Sequence, residues 1–159
     1  EFQGRIMANM LNEINVPTTL IVDSAARFFM KDVDKVLLGA EAIAANGAVI
    51  NKIGSSLIAL AAHEARVRVF VTAGTYKFSQ ETMLGELIEI EERDPSLVAP
   101  VDFIKEYSSL SIRNPAFDVT PPEYIDLIIT EKGVIPPQGV IYMLKELYGW
   151  PTFEIKLLD

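Results

Sequence analysis

Four positions carry side chains able to do polar chemistry and fall just past runs that read as strands: Asp23, Glu41, the pair Asn51-Lys52, and Lys77. In open α/β sheets, ligands sit outside the carboxyl ends of the strands. Glu41 follows Leu37-Leu38-Gly39-Ala40. A carboxylate there can transfer protons if partial burial makes it harder to ionise. It can equally pair with a lysine or cap a turn. Asn51-Lys52 precedes Gly54-Ser55-Ser56 and a helix. A helix N-terminus offers free N–H groups and a partial positive charge, so it attracts phosphate. Lys52 adds a full charge, and Asn51 can both donate to and accept from a sugar hydroxyl. The alternative is an ordinary serine cap beside a surface lysine. Lys77 lies in Thr75-Tyr76-Lys77-Phe78, either partly covered by its two aromatic neighbours or in a surface loop. His63 sits mid-helix beside Ala62 and Glu64 and reads as a helix-edge residue, not a ligand. Together these residues describe a cationic, amide-rich pocket with one carboxylate. Such a pocket suits a phosphorylated sugar or nucleotide better than an apolar ligand.

Several chemistries are excluded. The 159 residues contain no cysteine, which removes disulfides, thiolate nucleophiles and cysteine metal sites from this chain. A single histidine leaves no histidine-rich metal site, so no metal is expected. No Gly-x-Gly-x-x-Gly, Walker loop or Gly-x-Ser-x-Gly is present, and no motif asks for a cofactor. A net charge of −8 makes the chain a poor partner for nucleic acid. Its apolar runs are of strand length, short of the roughly 20 residues a membrane helix needs. No opening segment has the layout of a signal peptide, so a cytoplasmic location is expected.

The elements that must position these residues follow from periodicity. Residues 3–15 have apolar side chains at Ile6, Met7, Met10, Leu11 and Ile14, which is helical spacing, with Pro17 beyond. Residues 18–22 form a β-branched run, and Ser24 is placed to cap a short helix over 25–30. Residues 35–38 form another short apolar run. Asn46-Gly47 reads as a turn between extended pieces at 43–45 and 48–50. A helix over 55–66 and a strand over 67–72 follow. The stretch 73–100 is irregular and carries an acidic run, 86–94, expected to be a solvated loop. Strands are expected at 116–119 and 127–130, and Pro136-Pro137 can start a last helix over 138–148. Short apolar strands alternating with helices, both strand faces buried, point to a mainly parallel sheet covered by helices. The tail after Gly149 is too short for a separate domain. A doubly wound sheet normally begins with a strand, whereas this chain begins with a helix, so at least one strand is expected upstream.

The stretch Gly39-Ala40-Glu41-Ala42-Ile43-Ala44-Ala45-Asn46-Gly47-Ala48-Val49-Ile50-Asn51-Lys52-Ile53-Gly54 resembles the signature of a family with two branches. One branch holds the alpha, beta and delta subunits of translation initiation factor 2B. The other holds methylthioribose-1-phosphate isomerase and archaeal ribose-1,5-bisphosphate isomerase. Thr75-Tyr76-Lys77-Phe78, Ile90-Glu91-Glu92-Arg93-Asp94-Pro95, Asn114-Pro115-Ala116-Phe117-Asp118-Val119-Thr120-Pro121 and Ile129-Thr130-Glu131-Lys132-Gly133 agree with it. Ala61-Ala62-His63-Glu64-Ala65-Arg66-Val67 is most similar to the archaeal isomerases.

The resemblance implies that residues 1–159 are a Rossmann-like, three-layer C-terminal domain. A helical N-terminal domain and the first strand of the sheet would precede it. It implies homodimers through this domain, hexamers in the archaeal isomerase, and conversion of ribose 1,5-bisphosphate to ribulose 1,5-bisphosphate. The isomerases use a cysteine and an aspartate as acid and base. The cysteine belongs to the upstream segment, and the aspartate position carries Glu41. Glutamate sets the carboxyl about one bond further out, and misplacement on the order of 1 Å can cost roughly 100-fold in rate. Glutamate also occurs at this position in some initiation-factor subunits. Asn51, Lys52 and Lys77 match substrate-binding positions. The other branch implies a regulatory subunit that binds a sugar phosphate, a nucleotide or initiation factor 2 without turnover.

Overall fold

The computed structural model describes residues 2–86, 88–107 and 109–150; the tail at 151–159 lies outside them. Among the described residues, seven strands form two sheets. The first has the order β1 (Lys35–Leu38), β4 (Arg68–Thr72), β6 (Leu127–Thr130), β7 (Gly133–Ile135). Its first three strands are parallel, and β7 folds back antiparallel on β6. The second sheet, β2 (Ala42–Ile43), β3 (Val49–Lys52), β5 (Phe117–Thr120), is antiparallel throughout. The mainly parallel α/β architecture expected above is therefore present, and the second sheet is an addition to it.

Strand alternation explains the packing. Val36, Val69 and Val71 point to one face of the parallel sheet and are buried. Helix α3 (Ser55–Ala65) lies there on small side chains, with Ala59 and Ala62 fully buried against the Val36–Val69 layer. Helix α5 (Val140–Tyr148) adds Val140 and Leu144 to a second cluster with Ile43, Val49, Val71 and Ile128. Fully burying each of those aliphatic side chains contributes about 1.5–3 kcal/mol. The opposite face differs from expectation. Leu37 remains 65% exposed while its register partner Phe70 is half-buried, so this face, expected to be covered, is only partly so among the described residues.

Helix α1 (Gln3–Glu13) forms where the apolar spacing placed it but stops two residues earlier. Asn15 adopts φ 56°, and the Val16 N–H donates to the Leu11 carbonyl, closing the last turn. Residues 18–22 do not form a strand: a β-branched run needs a neighbour to pair with, and none of the described residues supplies one. Ser24 caps nothing; it lies inside a 3-10 turn, Asp23–Ala25, before α2 (Ala26–Phe29). Helix α4 (Val101–Glu106) and strand β7 are unexpected; both are short and bounded by irregular chain. No helix among the described residues is long and apolar enough to cross a membrane.

Candidate functional site

Glu41 and Lys77 meet where β1 and β4 end. Glu41 lies three residues beyond β1. Its N–H donates to the carbonyl of Ile50, the partner of Ala42, at 2.8 Å, which ties it to the end of the β2–β3 ladder. Glu41 and Ala42 thus both stand opposite Ile50, and Asn51 is paired on its other side with Asp118. The hairpin turn itself is closed by Asn46, whose Oδ1 accepts from the Ala48 N–H at 3.0 Å, and by Gly47 at φ 86°. A Cβ on Gly47 would lie 2.4 Å from the Pro137 carbonyl oxygen, so the hairpin tip can sit against the start of α5 only as glycine.

Lys77 ends a 3-10 turn, Thr75–Lys77, that follows β4. Its Nζ lies 3.4 Å from Glu41 Oε2; the lysine side chain is 26% exposed and that of Glu41 56%. The pairing anticipated as an alternative for Glu41 is thus present. The burial that acid catalysis asks of this carboxyl is not supplied by the described residues. The turn is held by Glu131, immediately past β6. The Glu131 carboxylate accepts from the Thr75 N–H at 3.0 Å and from the Thr75 hydroxyl. These bonds, the hydroxyl's first, hold the Glu131 carboxyl below the usual carboxylate range.

Asn51 and Lys52 part company. Consecutive strand residues point to opposite faces. Asn51 Nδ2 donates to Ser55 Oγ at 2.9 Å, and that hydroxyl donates to the Lys52 carbonyl at 2.7 Å. Lys52 leaves on the other face, its Nζ 5.4 Å from the centre of the Phe117 ring. The N-terminus of α3 is not open to phosphate. Gly54 caps it at φ 101°, and its N–H donates to Asp118 Oδ2 at 2.8 Å. The Ser56 N–H also donates to Asp118, at 3.1 Å. A carboxylate from β5 therefore fills the position proposed for a ligand anion, and neither Ser55 nor Ser56 is the cap.

The structure thus unites Glu41 with Lys77, holds Asn51 on Ser55 with Lys52 on the opposite face, and omits Asp23, which lies in a 3-10 turn with no strand before it. Two residues were missed. Asp118 stands between Phe117 and Val119, and a charged residue inside an apolar strand run signals a buried partner. Glu131 follows its strand just as Glu41 follows β1. A depression of about 300 Å³ beside Ala42 is lined by Glu81 and Glu86, which suits no phosphate. No cluster of three or more His, Asp or Glu able to hold a metal ion occurs among the described residues.

The chain is 57% identical over 150 residues to a protein of Pyrococcus furiosus named ribose 1,5-bisphosphate isomerase. The match covers 94% of this chain and 46% of that relative, so the chain spans about half its length. Two solved structures from Pyrococcus horikoshii superpose with a TM-score of 0.71. One is described as translation initiation factor eIF-2B; it is 30% identical, with 88% of this chain and 47% of that one covered. The other is described as 5-methylthioribose 1-phosphate isomerase; it is 35% identical, with 86% and 40% covered. The initiation factor 2 subunit family matches residues 1–137. That match spans most of the residues, and the chain belongs to the initiation factor 2 subunit family.

Proposed function

We propose that residues 1–159 are the C-terminal domain of an aldose–ketose isomerase that converts ribose 1,5-bisphosphate to ribulose 1,5-bisphosphate. The observation that carries this reading is the meeting of a carboxylate and an ammonium past the ends of parallel strands: Glu41 and Lys77. The identity to the Pyrococcus furiosus protein supports the choice of sugar.

The reaction moves the hydrogen on C2 to C1, delivers a proton to the ring oxygen and removes one from the C2 hydroxyl. It therefore needs one acid and one base. Glu41 is the proton donor. The other group, a cysteine by resemblance, comes from outside these cysteine-free residues. Lys77 is a phosphate cation already held within reach. Asn51 spends one amide hydrogen on Ser55, and its oxygen is the group that would accept from a sugar hydroxyl. Lys52 serves the second phosphate by swinging its flexible stem away from Phe117. The reading includes a cytoplasmic protein that forms homodimers through this domain and hexamers from them.

The test is an isomerase assay on the full-length protein with Glu41→Gln and Glu41→Asp alongside. The reading expects turnover by the parent and a loss of roughly 100-fold or more in Glu41→Gln. Undiminished Glu41→Gln sinks the acid role. A second reading, a regulatory subunit that binds a sugar phosphate, nucleotide or initiation factor 2 without turnover, draws support from the exposed, lysine-paired Glu41. It predicts a parent that binds ribose 1,5-bisphosphate without converting it, with turnover appearing in Glu41→Asp.

A further inference from the structure

Nothing in the isomerase reading assigns a role to Glu131, yet its contacts single it out. It stands at the carboxyl end of the parallel strand β6, next to β4. Both polar groups of Thr75, the N–H and the hydroxyl, are directed at its carboxylate. Thr75 is buried, 8% exposed, so neither donor has water as a ready substitute. Thr75 is also the first residue of the turn that ends in Lys77, and the Phe78 N–H closes that turn on the Thr75 carbonyl at 3.0 Å. Two residues earlier, the Ala73 N–H donates to the Ile129 carbonyl at 3.1 Å, so the chain entering the turn is also held to β6.

We propose that Glu131, acting through Thr75, is a positioning residue that fixes the Lys77 ammonium where it meets both Glu41 and the substrate phosphate. A lysine stem has four rotatable carbons, and its reach is useful only if its root is fixed. The Thr75–Glu131 bonds fix that root. Substrate recognition then depends on a carboxylate that never touches the substrate. The naming of the sugar rests on the isomerase reading; the fixing of Lys77 does not.

The experiment uses the full-length protein with Glu131→Ala, Thr75→Val and Thr75→Ser. Two readouts are taken: KM and kcat for ribose 1,5-bisphosphate, and the acetylation rate of Lys77 by acetic anhydride, read by mass spectrometry against Lys145 of the same molecule. Loss of charge-assisted bonds of this kind predicts KM raised about tenfold in Glu131→Ala and Thr75→Val, with kcat within about threefold. Lys77 acetylation rises severalfold in both. Thr75→Ser, which keeps the hydroxyl, restores both values. A general folding defect would move Lys145 together with Lys77 and would not be rescued by serine. If Lys77 labelling is unchanged in Glu131→Ala, or serine fails to rescue, the inference is overturned whatever the kinetics. If the parent neither binds nor converts the sugar while Lys77 labelling still responds, the positioning role stands and the isomerase reading falls.

Discussion

Replacing Asp118 tests how the second sheet and α3 hold each other. In Asp118→Ala the N–H groups of Gly54 and Ser56 lose their acceptor, at 2.8 and 3.1 Å, in a part-buried position. Loss of an N-cap acceptor costs about 0.5–2 kcal/mol. Loss of a negative charge at a helix N-terminus costs about 0.3–1 kcal/mol more. The sum predicts destabilisation of about 2 kcal/mol. Asp118→Asn keeps an acceptor of the same reach and loses only the charge, so about 0.5 kcal/mol is expected. Urea denaturation read by circular dichroism measures both, as shifts in midpoint at constant slope. The reasoning fails if Asp118→Ala costs less than about 0.5 kcal/mol, or if Asn costs as much as Ala. In the first case the helix end is satisfied by water; in the second the charge, not the hydrogen bond, carries the effect.

Gly47→Ala sets a Cβ against the Pro137 carbonyl oxygen, a backbone atom that cannot yield cheaply. A loss of at least about 2 kcal/mol is expected by the same denaturation assay, since a left-handed backbone alone costs a non-glycine residue about 1–2 kcal/mol. Arg66 ends α3 at φ 60°, and Arg66→Gly should raise stability by about 0.5–1 kcal/mol; an unchanged midpoint would refute strain there. Glu131 titrates below the usual carboxylate range in the folded chain, so its contribution is present above the ordinary carboxyl value and lost as pH falls through the folded value. The stability difference between the parent and Glu131→Gln should therefore be flat from about pH 5 to 8 and shrink below about pH 4. A difference that grows on acidification contradicts the assigned bonds.

Elements whose pattern repeats within a few residues were legible in the sequence. The α1 stripe, the strands at Val36 and Val69, and the Asn46-Gly47 turn depend on local periodicity and turn chemistry, and they formed as expected. The site was legible in part. Glu41 and Lys77 follow their strands in the chain, and the ends of adjacent parallel strands lie close together. The relation of Asn51 to Lys52 required knowing that both lie inside a strand, where neighbours diverge. The capping of α3 by Asp118 joins residues 64 apart, and no local pattern encodes such a contact. The run at 18–22 has strand composition without strand pairing, because composition describes a side-chain preference and pairing depends on a neighbour.

That 64-residue separation also bears on synthesis. Strand β3 and helix α3 leave the ribosome well before β5, which supplies both the outer neighbour of β3 and the carboxylate at the head of α3. At roughly 5–20 residues per second, the interval is roughly 3–13 s. During it the hairpin that carries Glu41 and Asn51 can form, while the helix behind it stays uncapped and one edge of β3 stays open. The Glu41 hairpin is therefore complete in the nascent chain before its outer strand and the carboxylate at the head of α3 are made. The codons that separate Ser56 from Asp118 set how long that interval lasts.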